Sequence, residues 1–398
     1  VKELSRRELL VGVAASMVLG IRTGLAQTTQ AQADSEPDRV GERLRPWRPG
    51  LLDIHHIATG RGDSTLLVTP DGTTILIDAG ATMQPDAALL EARPDLSRRP
   101  GEWIARYVQR RLAETGRASL DVLLITHLHP DHIGAIADST PLAASGRYRL
   151  SGVTDVAAAM SVRRVIDGYF PDYGYPPFED TLASENYIAY VRDRSRRGET
   201  VERFDVGSAG QLRLEHGSSA LPFEVRNLAA QGVVWSGRGQ EVTARFPARD
   251  RLPAKDYPNV NAGSVALRVR LGGFSYFCGG DLTDWADAGT RPWMDALSPA
   301  ATVAGPVDVA VAPHHGLYDA SGSAMVRSLA AQVWIISAWH ASHPSITTLD
   351  RLFNERLFPG PRSVYATGLS PAADLTAGRL TRRLASHEGH VIVRVAAD

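Results

Sequence analysis

The chain has 398 residues, 43% hydrophobic and 22% charged, with a net charge of −1 at neutral pH and a single cysteine. That is a globular balance, with chain enough for one large domain or two ordinary ones. The near-zero charge gives no basis for a polyanion-binding surface or a self-repelling acidic tail, and one thiol excludes an intrachain disulfide framework or a multi-cysteine zinc knuckle.

The N-terminus reads 5-SRRELL-10, then 11-VGVAASMVLGI-21, then small and polar residues through 26-AQTTQAQADSEPD-38. A charged n-region, a short apolar stretch and small residues at Ala26 and Ala33 predict an export signal, with Arg6-Arg7 resembling the twin-arginine type. The apolar run is shorter than the ~20 residues a membrane span needs. Residues 1–33 are therefore expected to be signal and linker, 34–50 linker, and the product periplasmic or secreted. An amphipathic helix or an uncleaved anchor is the alternative. No stable membrane span is expected in the mature chain.

From residue 51 strands alternate with turn punctuation. The segments 51-LLDIHHI-57, 64-STLLVT-69 and 73-TTILID-78 are predicted strands, separated by 60-GRGD-63 and 70-PDG-72. A helix is predicted over 101–116, apolar at Trp103, Ile104, Tyr107, Val108 and Leu112. Next comes 120-LDVLLIT-126, a continuous apolar run suited to a strand buried on both faces.

Directly after that strand stands 125-ITHLHPDHIG-134. His127 and His129 are two apart and share a face on an extended strand end. Asp131 and His132 follow Pro130, with a helix start expected in the apolar run beyond. Imidazole nitrogens and carboxylate oxygens at a strand-to-helix turn suit zinc, with manganese or iron as alternatives. A cluster of surface histidines is the bland reading, and convergence behind a buried strand speaks against it.

The His-x-His-x-Asp-His run resembles the signature of the metallo-β-lactamase-fold hydrolases. On that resemblance His127, His129, Asp131, His132, Asp281 in 276-YFCGGDLT-283 and His315 in 309-VAVAPHHGLYD-319 are the metal ligands, Asp281 bridging two ions. His314 takes the variable position beside the ligand, and Asp78, in Ile-Asp-Ala-Gly, is expected to orient a ligand histidine from behind, with turn capping as its alternative. The pieces 60-GRGDSTLLV-68, 259-NVNAGSVALRVRLGGFSYFCGGD-281, 314-HHG-316 and 343-HP-344 look like the soluble hydrolase domain of bacterial competence (DNA-uptake) channel proteins. In that branch an Asn-rich motif replaces the third histidine ligand, here Asn259 or Asn261, with His216 a weaker stand-in. His343 matches the branch's His-Pro and is expected to donate a proton or hydrogen bond to the leaving group; His340 is a weaker rival.

Other residues carry milder expectations. Asp63 reads as loop-shaping and Cys278 as a core thiol. His55 and His56 alternate on the first strand, so at least one is expected at the surface. His387 and His390 flank the last strand, 390-HVIVRV-395, and are expected to lie outside the chemistry. Irregular stretches at 169–180 and 235–259 are long enough to suggest active-site cover. Their Tyr169, Phe170, Tyr173, Tyr175, Phe178 and Trp235 either wall a substrate or fasten the loops.

The order of elements predicts an α/β (α+β) fold, an αββα sandwich of two mixed β-sheets flanked by helices, spanning 51–398 as one domain. The implied mechanism is hydrolysis assisted by two zinc ions about 3.5–4 Å apart, which bring the pKa of bound water near 7. Asp131 would ligate and steer the nucleophile. Phosphodiesters are the first choice of substrate; lactones, thioesters or β-lactams the second; a catalytically weak metal-bound binding module the third. Nucleic acid finds support only in a local patch of Arg106, Arg110, Arg111, Arg163 and Arg164. Oligomeric state is not encoded in any pattern visible here.

Overall fold

The computed structural model describes residues 43–82, 88–217 and 221–396. The segment read as an export signal lies outside them. Residues 43–46 carry no regular structure, and Trp47–Asp398 form one compact unit. Among the described residues no helix is long and apolar enough to cross a membrane.

Two mixed sheets make the body. The first runs β1 (Leu51–His56), β2 (Thr65–Val68), β3 (Thr74–Ile77), β4 (Leu120–Ile125), β5 (Val162–Asp167) and β6 (Thr200–Arg203) side by side, with β15 (Val391–Ala396) returning beside β1. Its pairs are antiparallel from β15 to β3 and parallel from β3 to β6. The second is built from β7 (Phe223–Ala230), β8 (Val233–Trp235), β9 (Val242–Ala244), β10 (Ala266–Leu271), β11 (Phe274–Cys278), β12 (Val309–Val311), β13 (Val333–Ile336) and β14 (Ser363–Ala366), in the order β14-β13-β12-β11-β10-β7-β8-β9. Strands β11 to β14 run parallel.

Alternation along the strands builds three apolar layers. Val122 and Leu124 of β4 join Leu52, Ile54, Ile75, Leu267, Tyr276 and Ile335 between the sheets. Leu123 and Ile125 turn the other way, against α1 (Pro100–Glu114), α3 (Val153–Ala159) and α4 (Thr181–Arg196). The outer face of the second sheet is covered by α5 (Leu297–Ala304), α6 (Ser323–Leu329) and α7 (Ile346–Leu352). Helix α1 buries Ile104, Ala105, Val108 and Leu112 along one stripe and begins at Pro100, whose missing N–H costs nothing there. Among the described residues the remaining α-helices are α2 (Pro130–Ile133) and α8 (Pro371–Ala377). The predicted αββα sandwich is therefore the observed one.

Two expectations need correction, and one open alternative is decided. Both His55 and His56 are fully buried. They do point to opposite faces, but β1 has no free face: His55 meets Tyr107 of α1 and His56 meets Tyr276 of the second sheet. Helix α2 begins at Pro130 rather than after His132, and it stops at Gly134, whose φ of 109° an L side chain rarely adopts. The loop aromatics fasten rather than line: Tyr169 is buried, Tyr173 and Tyr187 both donate to the buried Asp167, Phe178 tilts onto Tyr169, and Trp235 lies under Arg226.

Candidate metal centre

The centre forms where parallel strands of both sheets end, a common place for ligands because loops there fan apart. From the first sheet, Asp78 follows β3 and His127 follows β4. From the second, Asp281 follows β11, and His314 and His315 follow β12. Three of these residues hold positive φ: Asp78 at 58°, His314 at 51° and His315 at 54°. Such conformations cost about 1–3 kcal/mol each and persist only where the surroundings over-determine them.

Asp131, His132, Asp281 and His315 bring one donor atom each within 4.8 Å of one another, all four buried. His315 Nε2 lies 2.8 Å from Asp131 Oδ2 and 3.3 Å from Asp281 Oδ2. His132 Nε2 lies 3.2 Å from Asp281 Oδ2, 3.4 Å from Asp131 Oδ2 and 3.4 Å from His315 Nε2. Donors held tetrahedrally at about 2.0–2.2 Å stand roughly 3.3–3.6 Å apart, a spacing that four of these separations approach and the 2.8 Å His315–Asp131 contact undercuts. A second group adjoins it through the same carboxylate oxygen. His127 Nε2 is 3.1 Å from His129 Nδ1 and 3.7 Å from Asp281 Oδ2.

The ligand rings are held from behind. Asp78 Oδ2 accepts from His132 Nδ1 at 2.7 Å and from Thr126 Oγ1 at 2.6 Å, while Oδ1 accepts the Thr126 N–H at 2.8 Å. His315 Nδ1 donates to the Ser337 carbonyl at 3.0 Å. Each contact turns the opposite nitrogen, Nε2, toward the cluster, where an ion would displace its proton and take the lone pair. Asp78 thus both orients a ligand and caps the strand end. Glu179, at the end of the first long loop, lies 3.8 Å from the outer nitrogen of His129.

Charge is balanced internally. Burial pushes Asp131 and Asp281 upward, yet the charges and hydrogen bonds of His132 and His315 override it and hold both carboxyls well below their usual range. Burial likewise opposes protonation of His315, but Asp281 and Asp131 hold its pKa up to about 10. His127 is driven well below its ordinary value, by burial first and by His132 second.

The other expected residues divide. His343 stacks on His315 at 4.8 Å, is buried with Nδ1 lacking a hydrogen-bond partner among the described residues, and has its pKa pushed well down by burial and by His315. His340 stands beside it, 5.6 Å away. Asn261 Nδ2 reaches His314 Nε2 at 3.1 Å, whereas Asn259 spends its side-chain oxygen on the Ala262 N–H. His216 is elsewhere, bonded to Asp121 at 2.8 Å in the first sheet. Asp63 braces the centre through its backbone, donating to the Asp131 carbonyl and accepting from Gly80 N. Arg163 and Arg164 are engaged by Asp121, Glu202 and Glu215, and Arg111 by Glu114, while Arg106 and Arg110 of the suggested basic patch are exposed and outside these ion pairs. His390 accepts from Ala58 N, and Cys278 is a buried free thiol.

Sequence reasoning missed Asp319, which binds His314 Nδ1 at 2.8 Å, as well as Ser337 and Glu179. Asp319 closes the quoted 309-VAVAPHHGLYD-319 and was within reach of a spacing argument; the Ser337 contact is a backbone carbonyl and leaves no side-chain signal.

A two-sheet sandwich with a buried His/Asp cluster at the strand ends defines an αββα protein with a candidate metal site. Residues 58–141, which hold Asp78 and the whole His127–His132 run, match the family model described as metallo-beta-lactamase superfamily, so the chain contains a domain of that superfamily. No curated protein matches the chain. Among solved structures it is similar to a mutant of the beta-hydroxylase CmlA (14% identity, 88% of this chain and 54% of that one, TM-score 0.38), and it spans about half that protein's length. It is also similar to the metallo-beta-lactamase fold protein YhfI from Bacillus subtilis (10%, 87% and 100%, TM-score 0.39) and to the short form of human tRNase Z (10%, 87% and 99%, TM-score 0.32).

Proposed function

We propose that this chain is a metal-dependent hydrolase with two ions, zinc by its donor chemistry, acting on phosphodiesters. One observation carries the reading: the donor atoms of Asp131, His132, Asp281 and His315 converge within 4.8 Å, and Asp281 Oδ2 also faces His127. A buried set of two imidazoles and two carboxylates is costly to desolvate even when the charges pair with one another, and holding an ion gives it a purpose. When bound, paired ions supply a water nucleophile at neutral pH and polarise the oxygen of the scissile centre.

The chain's own residues supply orientation. Asp78 and the Ser337 carbonyl fix His132 and His315 so that Nε2 of each faces inward. Asp131, gripped by His315, holds its carboxylate at the rim where an attacking water would be steered. His343 is neutral, and its unpartnered Nδ1 is the candidate hydrogen-bond donor to a leaving group or phosphoryl oxygen. The preference for phosphodiesters rests on the sequence resemblance to the competence-protein branch, and export rests on the segment 5–26; both belong to the same proposal.

The test is a substrate panel. Purified protein reconstituted with zinc or manganese is offered bis-p-nitrophenyl phosphate, nitrocefin and a chromogenic lactone. Turnover of the first is expected to dominate, and His129→Ala should abolish it. Full phosphodiesterase rate in His129→Ala would remove the mechanism, and preferential turnover of nitrocefin or the lactone would replace the substrate class. Fractionation of cells expressing the full chain tests export: the mature protein should appear outside the cytoplasm.

A further inference from the structure

We propose that His314, not an asparagine, is the third nitrogen donor of the His127/His129 half of the centre, with Asp319 as its positioning residue. The inference rests on the two-ion reading above and deepens it. That half counts three donors so far: His127 Nε2, His129 Nδ1 and the shared Asp281 Oδ2. Zinc in such surroundings takes four ligands, or three and an open position.

His314 has the geometry of a ligand rather than a bystander. Its Nε2 lies 4.0 Å from Asp281 Oδ2, the oxygen that His127 Nε2 approaches at 3.7 Å. Its Nδ1 is 2.8 Å from Asp319 Oδ1. An ionised carboxylate can only accept, so Nδ1 carries the proton and Nε2 presents a lone pair to the centre. The same device holds His132, through Asp78 at 2.7 Å. Carboxylate behind imidazole is what fixes the tautomer of metal-binding histidines.

The turn itself deals the two histidines to different halves. His314 and His315 follow one another in left-handed conformation, and their ring centroids stand 6.2 Å apart. His315 Nε2 goes to Asp131 at 2.8 Å; His314 Nε2 goes to Asn261 at 3.1 Å, 4.0 Å from Asp281. Two consecutive non-glycine residues in left-handed conformation are uncommon, although histidine tolerates it better than most.

Asn261 occupies the lone pair without being suited to replace it. Its Nδ2 donates to His314 Nε2, while its buried Oδ1 has no hydrogen-bond partner among the described residues. An ion taking the Nε2 lone pair would release that amide to turn. Asn259 is committed to the Ala262 N–H.

The experiment compares the full chain with His314→Ala, His314→Cys, Asp319→Asn and Asn261→Ala. Bound zinc is counted by mass spectrometry after dialysis, and each affinity is read by chelator competition. Cobalt(II) absorption reports coordination number. The unsubstituted chain should bind two ions. His314→Ala should keep one unchanged and bind the other at least ~100-fold more weakly; His314→Cys, which restores a zinc donor, should recover it. Asp319→Asn should weaken that same ion about 10- to 100-fold, in line with loss of a ligand's supporting partner. Asn261→Ala should hold both ions within a few-fold. Two ions of unchanged affinity in His314→Ala, or loss of one in Asn261→Ala, would overturn the assignment and leave the hydrolase reading standing. An unsubstituted chain that takes up no metal would overturn both.

Discussion

Replacing Asp78 by Asn tests the centre at a residue that touches no ion. The carboxylate makes three short contacts: Thr126 N at 2.8 Å, Thr126 Oγ1 at 2.6 Å and His132 Nδ1 at 2.7 Å. An amide of the same size keeps one acceptor, and the short Thr126 N–H claims it. Its NH2 then faces His132 Nδ1, which must give up its proton and accept. The proton moves to Nε2, the atom 3.2 Å from Asp281 Oδ2 and 3.4 Å from Asp131 Oδ2, where an ion would need the lone pair. Loss of a ligand's supporting partner lowers metal affinity about 10- to 100-fold, or roughly 1.4–2.8 kcal/mol. Asp78→Ala does worse, because it also strands a buried N–H, adding about 1–3 kcal/mol of lost stability. Zinc competition against a chromophoric chelator reads the affinity, and urea unfolding of the metal-free protein reads the stability. Asp78→Asn should lose affinity for the Asp131/His132/His315 ion with a small stability change. Unchanged affinity in Asp78→Asn would refute the tautomer reasoning.

Arg394→Met should destabilise the fold by about 3–5 kcal/mol in urea unfolding, since it abandons the buried Asp53 that Arg394 grips at 2.7 and 2.6 Å. Burial alone would raise the Asp53 pKa, but hydrogen bonds from Arg394 and His55 pull it below the usual value. The stabilisation is thus present above the unfolded pKa of about 4 and lost as pH falls through the lower folded value; in Arg394→Met burial leaves the abandoned Asp53 easier to protonate, so the gap between the two proteins should narrow progressively as pH falls and close in strong acid. Gly80→Ala would put a Cβ 1.7 Å from the Asp131 carbonyl oxygen and 2.8 Å from Asp63 N, so metal uptake and thermal stability should fall together; an unperturbed metal count would show that the loop yields freely. His216→Gln should retain both ions, because that ring serves Asp121, and should lose about 1.5–3 kcal/mol of stability. Chelation should lower the melting temperature, by the equivalent of about 4 kcal/mol per ion when free zinc had stood 1,000-fold above its Kd; an unmoved melting curve would mean that no ion was held.

Much of the centre was legible because its first half is local. His127 to His132 lie within six positions behind a continuous apolar strand, and chemistry at that density has few other readings. The strands β1 to β4 were readable for the same reason, since turns and apolar runs alternate cleanly there. Strand β6, Thr-Val-Glu-Arg, carries no such alternation and is placed only by pairing with β5. For His55 and His56 the face-by-face alternation was correct, but a single sequence does not reveal that helix and sheet cover both faces. Asn259 and Asn261 looked equivalent in the chain; the short helical turn Asn261–Gly263 separates them, spending one on its own backbone and turning the other toward His314.

Asp131 and His315, whose side chains meet at the centre, are 184 positions apart in the chain. During synthesis the first half of the ligand set therefore leaves the ribosome long before its counterpart exists. A cation arriving early meets only an unfinished claw, and tight retention begins when the second sheet docks. Metal capture would in this sense be a late checkpoint of folding, and a chain truncated before β12 would keep Asp281 but lack His314 and His315.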